Sequence, residues 1–143
     1  MYRFLANIET ANLTGFTNAQ LDAKFSGIVK MTEGFKDKAI YYDERYPSSG
    51  ITINDLRVLK AYFISKGFQV LTADKLKDWI SEKGSDSIVL MAQDIAPDTI
   101  VNLTSTGSQP ARDYLNHGGS LMWLYDIPFY HIGHADNTKD VWG

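Results

Sequence analysis

Carboxylates recur at the ends of apolar runs in this chain. Asp43 and Glu44 follow KAIYY, Gln93 and Asp94 follow SIVLMA, and Tyr125 and Asp126 follow SLMWL. Acids gathered at one edge of a fold could bind sugar hydroxyls or hold a hard divalent cation through oxygen. As a pair they could exchange protons with a substrate. In that last role Asp126 would be acid/base or nucleophile with Asp94 as partner, and a carboxyl raised by partial burial would be required. Tyr125, Phe129 and Tyr130 add faces for stacking. The structural alternative for Asp126 is that an Asp before an X-Pro step, here Ile127-Pro128, starts a turn by accepting backbone N–H groups. The ligand-binding set read from the sequence is Asp43, Glu44, Gln93, Asp94, Tyr125 and Asp126, and any catalysis would fall to Asp126 and Asp94.

Other residues carry weaker signals. HIGHAD brings His131, His134 and Asp136, all metal-ligating types, close together in sequence. Zinc wants three or four ligands on a scaffold, and a glycine-bearing tail is a poor one, so solvated loop histidines are the expectation. Neither a metal nor a cofactor is expected. His117, beside Gly118 and Gly119, reads as a favourable charge at a helix C-terminus. YPSSGIT could cradle an anion with Ser48, Ser49 and free backbone N–H groups, although it has neither the Gly-x-Gly-x-x-Gly nor the Gly-Lys-Ser/Thr pattern of nucleotide sites.

The elements that must position these residues follow from periodicity. Strands are predicted over 38–44, 68–72, 87–94 and 120–126. Between them, Thr52 caps a helix over 53–66 that Gly67 ends, Asp74 begins a helix that Gly84 closes, and a third runs from Ser108 or Pro110 to Gly118. The continuous apolar run at 88–92 is that of a strand buried on both faces. Strand-helix alternation of this kind predicts an α/β fold, a flavodoxin-like doubly wound and mostly parallel sheet with helices on both faces. Ligands bind such sheets beyond the carboxyl ends of the strands, where strand order reverses. Those ends are the acidic positions above.

Residues 1–35 add a strand in YRFLANI and a helix with a capping box at Thr17 and Gln20. Residues 134–143 form a tail, which is either a short closure or the cut edge of a longer protein. The whole reads as one α/β domain with a core over 38–133.

Composition narrows the function classes. The 143 residues contain no cysteine, which excludes disulfides, a thiol nucleophile and Cys-type zinc sites. The net charge is −3 and no basic stripe is present, so nucleic acid is not an expected partner. The N-terminus has neither an export signal nor a membrane span, and cytoplasmic residence is the favoured compartment. A small-molecule or carbohydrate ligand, a second copy of the chain, or further domains of a longer chain are the partners left open. A response-regulator-like acidic pocket at Asp43 and Glu44 lacks the lysine at a later strand end that would complete it.

A helix ending in Gly118-Gly119, the strand SLMWLY and a sharp turn at Asp126 resemble the way the class I glutamine amidotransferase-like fold presents its nucleophile, with Asp126 in that place. The resemblance departs from the active pattern where Leu124 and Pro128 replace the glycines of a tight elbow and a carboxylate replaces the thiol. Over residues 38–133 the chain is more similar to non-catalytic members, the ThuA-like and β-galactosidase trimerisation-like domains. The likeness is carried by SIVLMAQDIAPDTI and ARDYLNHGGSLMWLYDIPFY. It implies a module for ligand binding or protein interaction, with no enzymatic activity. The alternative is an enzyme acting on a carbohydrate or nucleotide-like ligand with carboxylates at the C-terminal edge of the sheet.

Overall fold

The computed structural model describes residues 4–5, 12–102, 109–124 and 128–141. Among the described residues five strands form one sheet: β1 (Phe4–Leu5), β2 (Asp37–Tyr41), β3 (Gln69–Leu71), β4 (Ser87–Met91) and β6 (Ser120–Trp123). They are ordered β3-β2-β4-β6-β1, and every pairing is parallel. From β2 the chain moves outward to β3, then crosses back to β4 and on to β6. The order therefore reverses between β2 and β4, and the sheet is doubly wound in the flavodoxin-like manner expected. β1 takes the outer place beside β6, with Phe4 opposite Met122.

Each crossover carries a helix whose ends follow local chemistry. In α1 (Asn18–Thr32) the Thr17 hydroxyl accepts from the Gln20 N–H while the Gln20 side chain accepts from the Thr17 N–H, which satisfies two otherwise orphaned donors. Thr52 caps α2 (Ile53–Ser65) through the Asp55 N–H. This helix stops at Gly67, whose φ of +93° favours glycine. α3 is Ala73–Glu82, and α4 is Pro110–Asn116 with proline in its first turn.

Alternation along the strands divides the core into two layers. Ala39, Tyr41, Val89, Met91, Leu121 and Trp123 face α3 and α4, where Leu76, Trp79, Ile80 and Tyr114 cover them. Ile40, Tyr42, Ile88, Leu90 and Met122 face α1 and α2 and meet Phe25, Leu56, Leu59 and Phe63. β4 is buried throughout, as its unbroken apolar run requires. Gly119 passes so close to Tyr114 that a Cβ there would lie 2.3 Å from the ring.

Residues 134–141, read from the sequence as part of a tail, take part in a hairpin. A second sheet is built from β5 (Ala96–Pro97), β7 (His131–Gly133) and β8 (Lys139–Val141), with β5 parallel to β7 and β7 antiparallel to β8. Residues 134–138 are the turn of a hairpin, where Asn137 takes a φ of +69° and Asp136 accepts from the Thr138 N–H and hydroxyl. Among the described residues no helix is long and apolar enough to cross a membrane.

Candidate functional site

From the strand order a ligand site is expected beyond the carboxyl ends of β2 and β4. Asp43, Gln93 and Asp94 all reach it, and all three are buried. Gln93 ties the two strand ends together. Its Oε1 accepts the Asp43 N–H at 2.7 Å, and its Nε2 donates to the carbonyls of Asp43 and Tyr46 at 2.8 and 2.9 Å.

Asp43, only 4% exposed, is saturated by its own chain. One oxygen accepts the Arg45 N–H and Nε, each at 3.1 Å. The other accepts the Arg45 guanidinium at 2.8 Å and the Ala73 N–H at 3.0 Å. The Ala73 N–H belongs to the first turn of α3, so the carboxylate also sits at the positive end of that helix. Burial pushes the Asp43 carboxyl up, but the Arg45 side chain and the two backbone donors outweigh it and hold it below the ordinary carboxylate range.

Asp94 is used in the same way. Its two oxygens accept the Ser49 and Gly50 N–H groups, each at 2.7 Å. The anion cradle read from YPSSGIT is thus a real nest of backbone donors, and the anion it holds is the chain's own Asp94. The Asp94 carbonyl in turn accepts the Trp123 indole N–H at 2.9 Å.

Glu44 does not join this group. It turns outward to Arg57, with contacts of 2.6 and 3.1 Å, and to the Tyr42 hydroxyl. Those partners, Arg57 first, lower its carboxyl to about 2. Tyr125 and Asp126 lie outside the described residues, as does Ile127.

The histidines also differ from expectation. His131 belongs to β7, with its ring edge-on to Tyr130 at 4.7 Å, and is not a loop residue. His134 is held between two acids, with Nδ1 2.9 Å from Asp98 and Nε2 2.7 Å from Asp140. Those two hydrogen bonds, Asp98 first, raise its pKa above the usual histidine value. When the ring is protonated both nitrogens donate to these carboxylates and no lone pair is left for a metal. Asp136 serves the turn, and among the described residues no group of three or more His, Cys, Asp or Glu side chains could hold a metal ion. His117 ends α4 as expected, with Nδ1 2.7 Å from the Asp113 carbonyl.

Sequence reasoning passed over Arg45, Tyr46, Asp98 and Asp140. The Tyr46 hydroxyl donates to Asp98 at 3.0 Å, and burial together with that bond pushes its pKa up to about 12. Among the described residues the buried Tyr41 hydroxyl has no hydrogen-bond partner. Burial raises its pKa well above normal, helped by the charge of Asp43 and by Tyr46 and Asp98. Adjacency to Asp43 was the only signal for Arg45, and the other three carried none. A cavity of about 690 Å³ lies near the amino ends of β4 and β6, between α3 and α4, and includes Lys77, Lys83, Asp113 and His117 in its lining. Asp43, Glu44, Gln93 and Asp94 do not line it.

The protein is 32% identical over 119 residues to uncharacterized protein MJECL34 of Methanocaldococcus jannaschii, and the alignment takes in 78% of this chain and 40% of the relative. The chain therefore spans about two fifths of that relative's length. No solved structure matches it. The MJECL34 family matches residues 36–141, from the threshold of β2 to the last residue of β8. A match that takes in the switch point and the small sheet together places the chain in that family, and the protein belongs to the MJECL34 family.

Proposed function

We propose that this chain is a non-catalytic α/β module that binds a ligand or a protein partner. It would be similar in kind to glutamine amidotransferase-like domains without a nucleophile, the ThuA-like and β-galactosidase trimerisation-like domains among them. The observation that carries the reading is how two of the strand-end acids are used: Asp43 spends its oxygens on Arg45 and the Ala73 N–H, and Asp94 holds the N–H groups of Ser49 and Gly50. A general base must have a lone pair within reach of a substrate proton, and a nucleophile must face open space. Asp43, with four donors on its two oxygens, meets neither condition, and Asp94 is tied down by a backbone N–H on each oxygen. The absence of cysteine removes the thiol route as well. The likeness to amidotransferase-like domains is one of fold and motif, and a fold alone does not fix a function.

The alternative, an enzyme acting on a carbohydrate or nucleotide-like ligand with Asp94 paired to Asp126, draws no support from the place Asp94 occupies. The test is to incubate the purified protein with glutamine and with a nitrophenyl ester and to follow ammonia and nitrophenol release. No turnover above buffer is expected. Hydrolysis at a rate that vanishes in Asp126→Asn would overturn the reading. A melting-temperature screen with sugars and nucleotides, and sedimentation for self-association, separate the ligand-binding form of the proposal from the interaction form.

A further inference from the structure

We propose that His134, clamped between Asp98 and Asp140, is a proton-controlled latch that fastens the small sheet against the loop at the carboxyl end of β2. It holds while the imidazole is charged and loosens when the proton leaves. The geometry requires charge for full strength. A neutral imidazole has one N–H and one lone pair, so only one of two carboxylates 2.9 and 2.7 Å away can receive a hydrogen bond. The other then faces a lone pair.

The groups around His134 come from every neighbouring element. Asp98 follows β5 and Asp140 lies on β8, while Asp136 in the hairpin turn also feels the imidazole's charge. From the β2–α2 loop, Tyr46 donates to the Asp98 oxygen that His134 does not use, and Arg45 lies over the Tyr46 ring. Lys139 stands in register with Gly133 across the hairpin. The charges that act on the imidazole most strongly are thus two carboxylates, and they favour its protonated form.

Asp98 makes the clamp more than a local hairpin contact. Its N–H donates to the Gly133 carbonyl at 2.8 Å, and its carboxylate joins His134 to Tyr46. Gly133 is pressed against Pro47 of the same loop, where a Cβ would approach to 2.8 Å. One histidine therefore links β7, β8, the turn after β5 and the loop that carries the Asp94 nest.

The sign follows from linkage. A group whose folded pKa is raised lends its stability fully below the unfolded value, about 6.5 for histidine, and loses it as pH rises through the folded value. The experiment is amide hydrogen exchange between pH 5.5 and 8.5, corrected for base catalysis, with NMR titration of the assigned His134 ring in the same samples. The ring should titrate above 6.5. Across that titration, protection of the Asp98 and His134 amides should fall about two- to fivefold, the range for partly exposed ion pairs, while β4 amides hold. His134→Gln should give low protection with no pH step. Asp140→Asn keeps the imidazole and should lower both the titration midpoint and the size of the step, which also covers the case in which His134→Gln does not fold. Wild-type protection that is flat across the ring titration, or an equal step in His134→Gln, would overturn the latch.

Discussion

Removing the carboxylate of Asp94 separates a structural pin from a working acid by the sign of its effect on stability. In Asp94→Ala two backbone donors, the N–H groups of Ser49 and Gly50, lose an ionised acceptor at 2.7 Å. Hydrogen bonds to charged groups contribute about 1.5–3 kcal/mol each when their partners are buried. Ser49 is exposed and Gly50 half-buried, so both donors can turn to water and the lower end applies. The expected loss is about 2–4 kcal/mol. Asp43→Ala should cost about 2–3 kcal/mol, chiefly for the Ala73 N–H, because Arg45 is 55% exposed and its ion pair is screened. Carboxylates kept for catalysis behave oppositely, since working sites hold strain and their removal tends to leave stability unchanged or higher. Urea unfolding at pH 7 makes the measurement. With a slope of about 1–3 kcal/mol/M, these losses move the midpoint by on the order of 1–2 M without altering the slope. If both variants unfold at or above the wild-type midpoint, the two acids are not holding the loop and α3, and the reasoning from their hydrogen bonds is wrong.

Three further outcomes follow from the same contacts. Because the Asp43 carboxyl lies below its unfolded value, its contribution is complete above about pH 4 and disappears as pH falls through the folded value; wild type and Asp43→Asn should therefore converge in urea midpoint between pH 5 and 2, and parallel curves would contradict the assignment. Gly119→Ala drives a methyl into a Tyr114 ring held by its hydrogen bond to Ser87, and should cost about 1–3 kcal/mol. Gly118→Ala, at a φ of +90°, should cost about 1 kcal/mol by thermal or urea unfolding, and the reverse ranking would mean that Tyr114 can step aside. Trp123→Phe leaves the Asp94 carbonyl without its indole donor and should lower stability by about 1–3 kcal/mol, with exchange protection of the Ser49 and Gly50 amides reduced in the same variant.

The large sheet was legible because each of its elements repeats a pattern long enough to be read. The stripe Leu56, Leu59 and Phe63 between Thr52 and Gly67 defines α2, and the unbroken run in β4 defines a two-sided strand. Strand ends were overshot: β2 stops at Tyr41 and β4 at Met91, two to three residues before the acids assigned to them. The polar residues that follow fit an apolar alternation as easily as they fit a loop, and only the ladder decides. The small sheet was illegible for a different reason. Its strands are two or three residues long, one contains Pro97, and Ala96 pairs with Ile132 far along the chain. No periodicity can be expressed in so few residues, and the pairing depends on where the large sheet leaves its ends.

The site was legible as a place and not as a set of partners. Strand ends rich in acids pointed to the switch point, and Asp43, Gln93 and Asp94 do meet there. What a carboxylate does at such an edge depends on the path of the loop above it. In the loop over residues 45–51 the Ser49 and Gly50 N–H groups meet Asp94, an anion fixed just beyond the end of β4 and always present. A free phosphate or sugar acid would have to compete with a tethered group that has already lost its translational freedom, so the nest is closed to external anions unless the loop moves. Movement of that loop is opposed by the Gln93 bridge from below and by Pro47 and Tyr46 against the small sheet. Ligand access at the switch point and retention of the small sheet are therefore one mechanical question. Its adjustable part is the hydrogen bonding of His134, because the Gln93 amide and the Pro47 contact do not titrate, the Tyr46 hydroxyl is pushed up to about 12, and the imidazole changes charge near neutral pH.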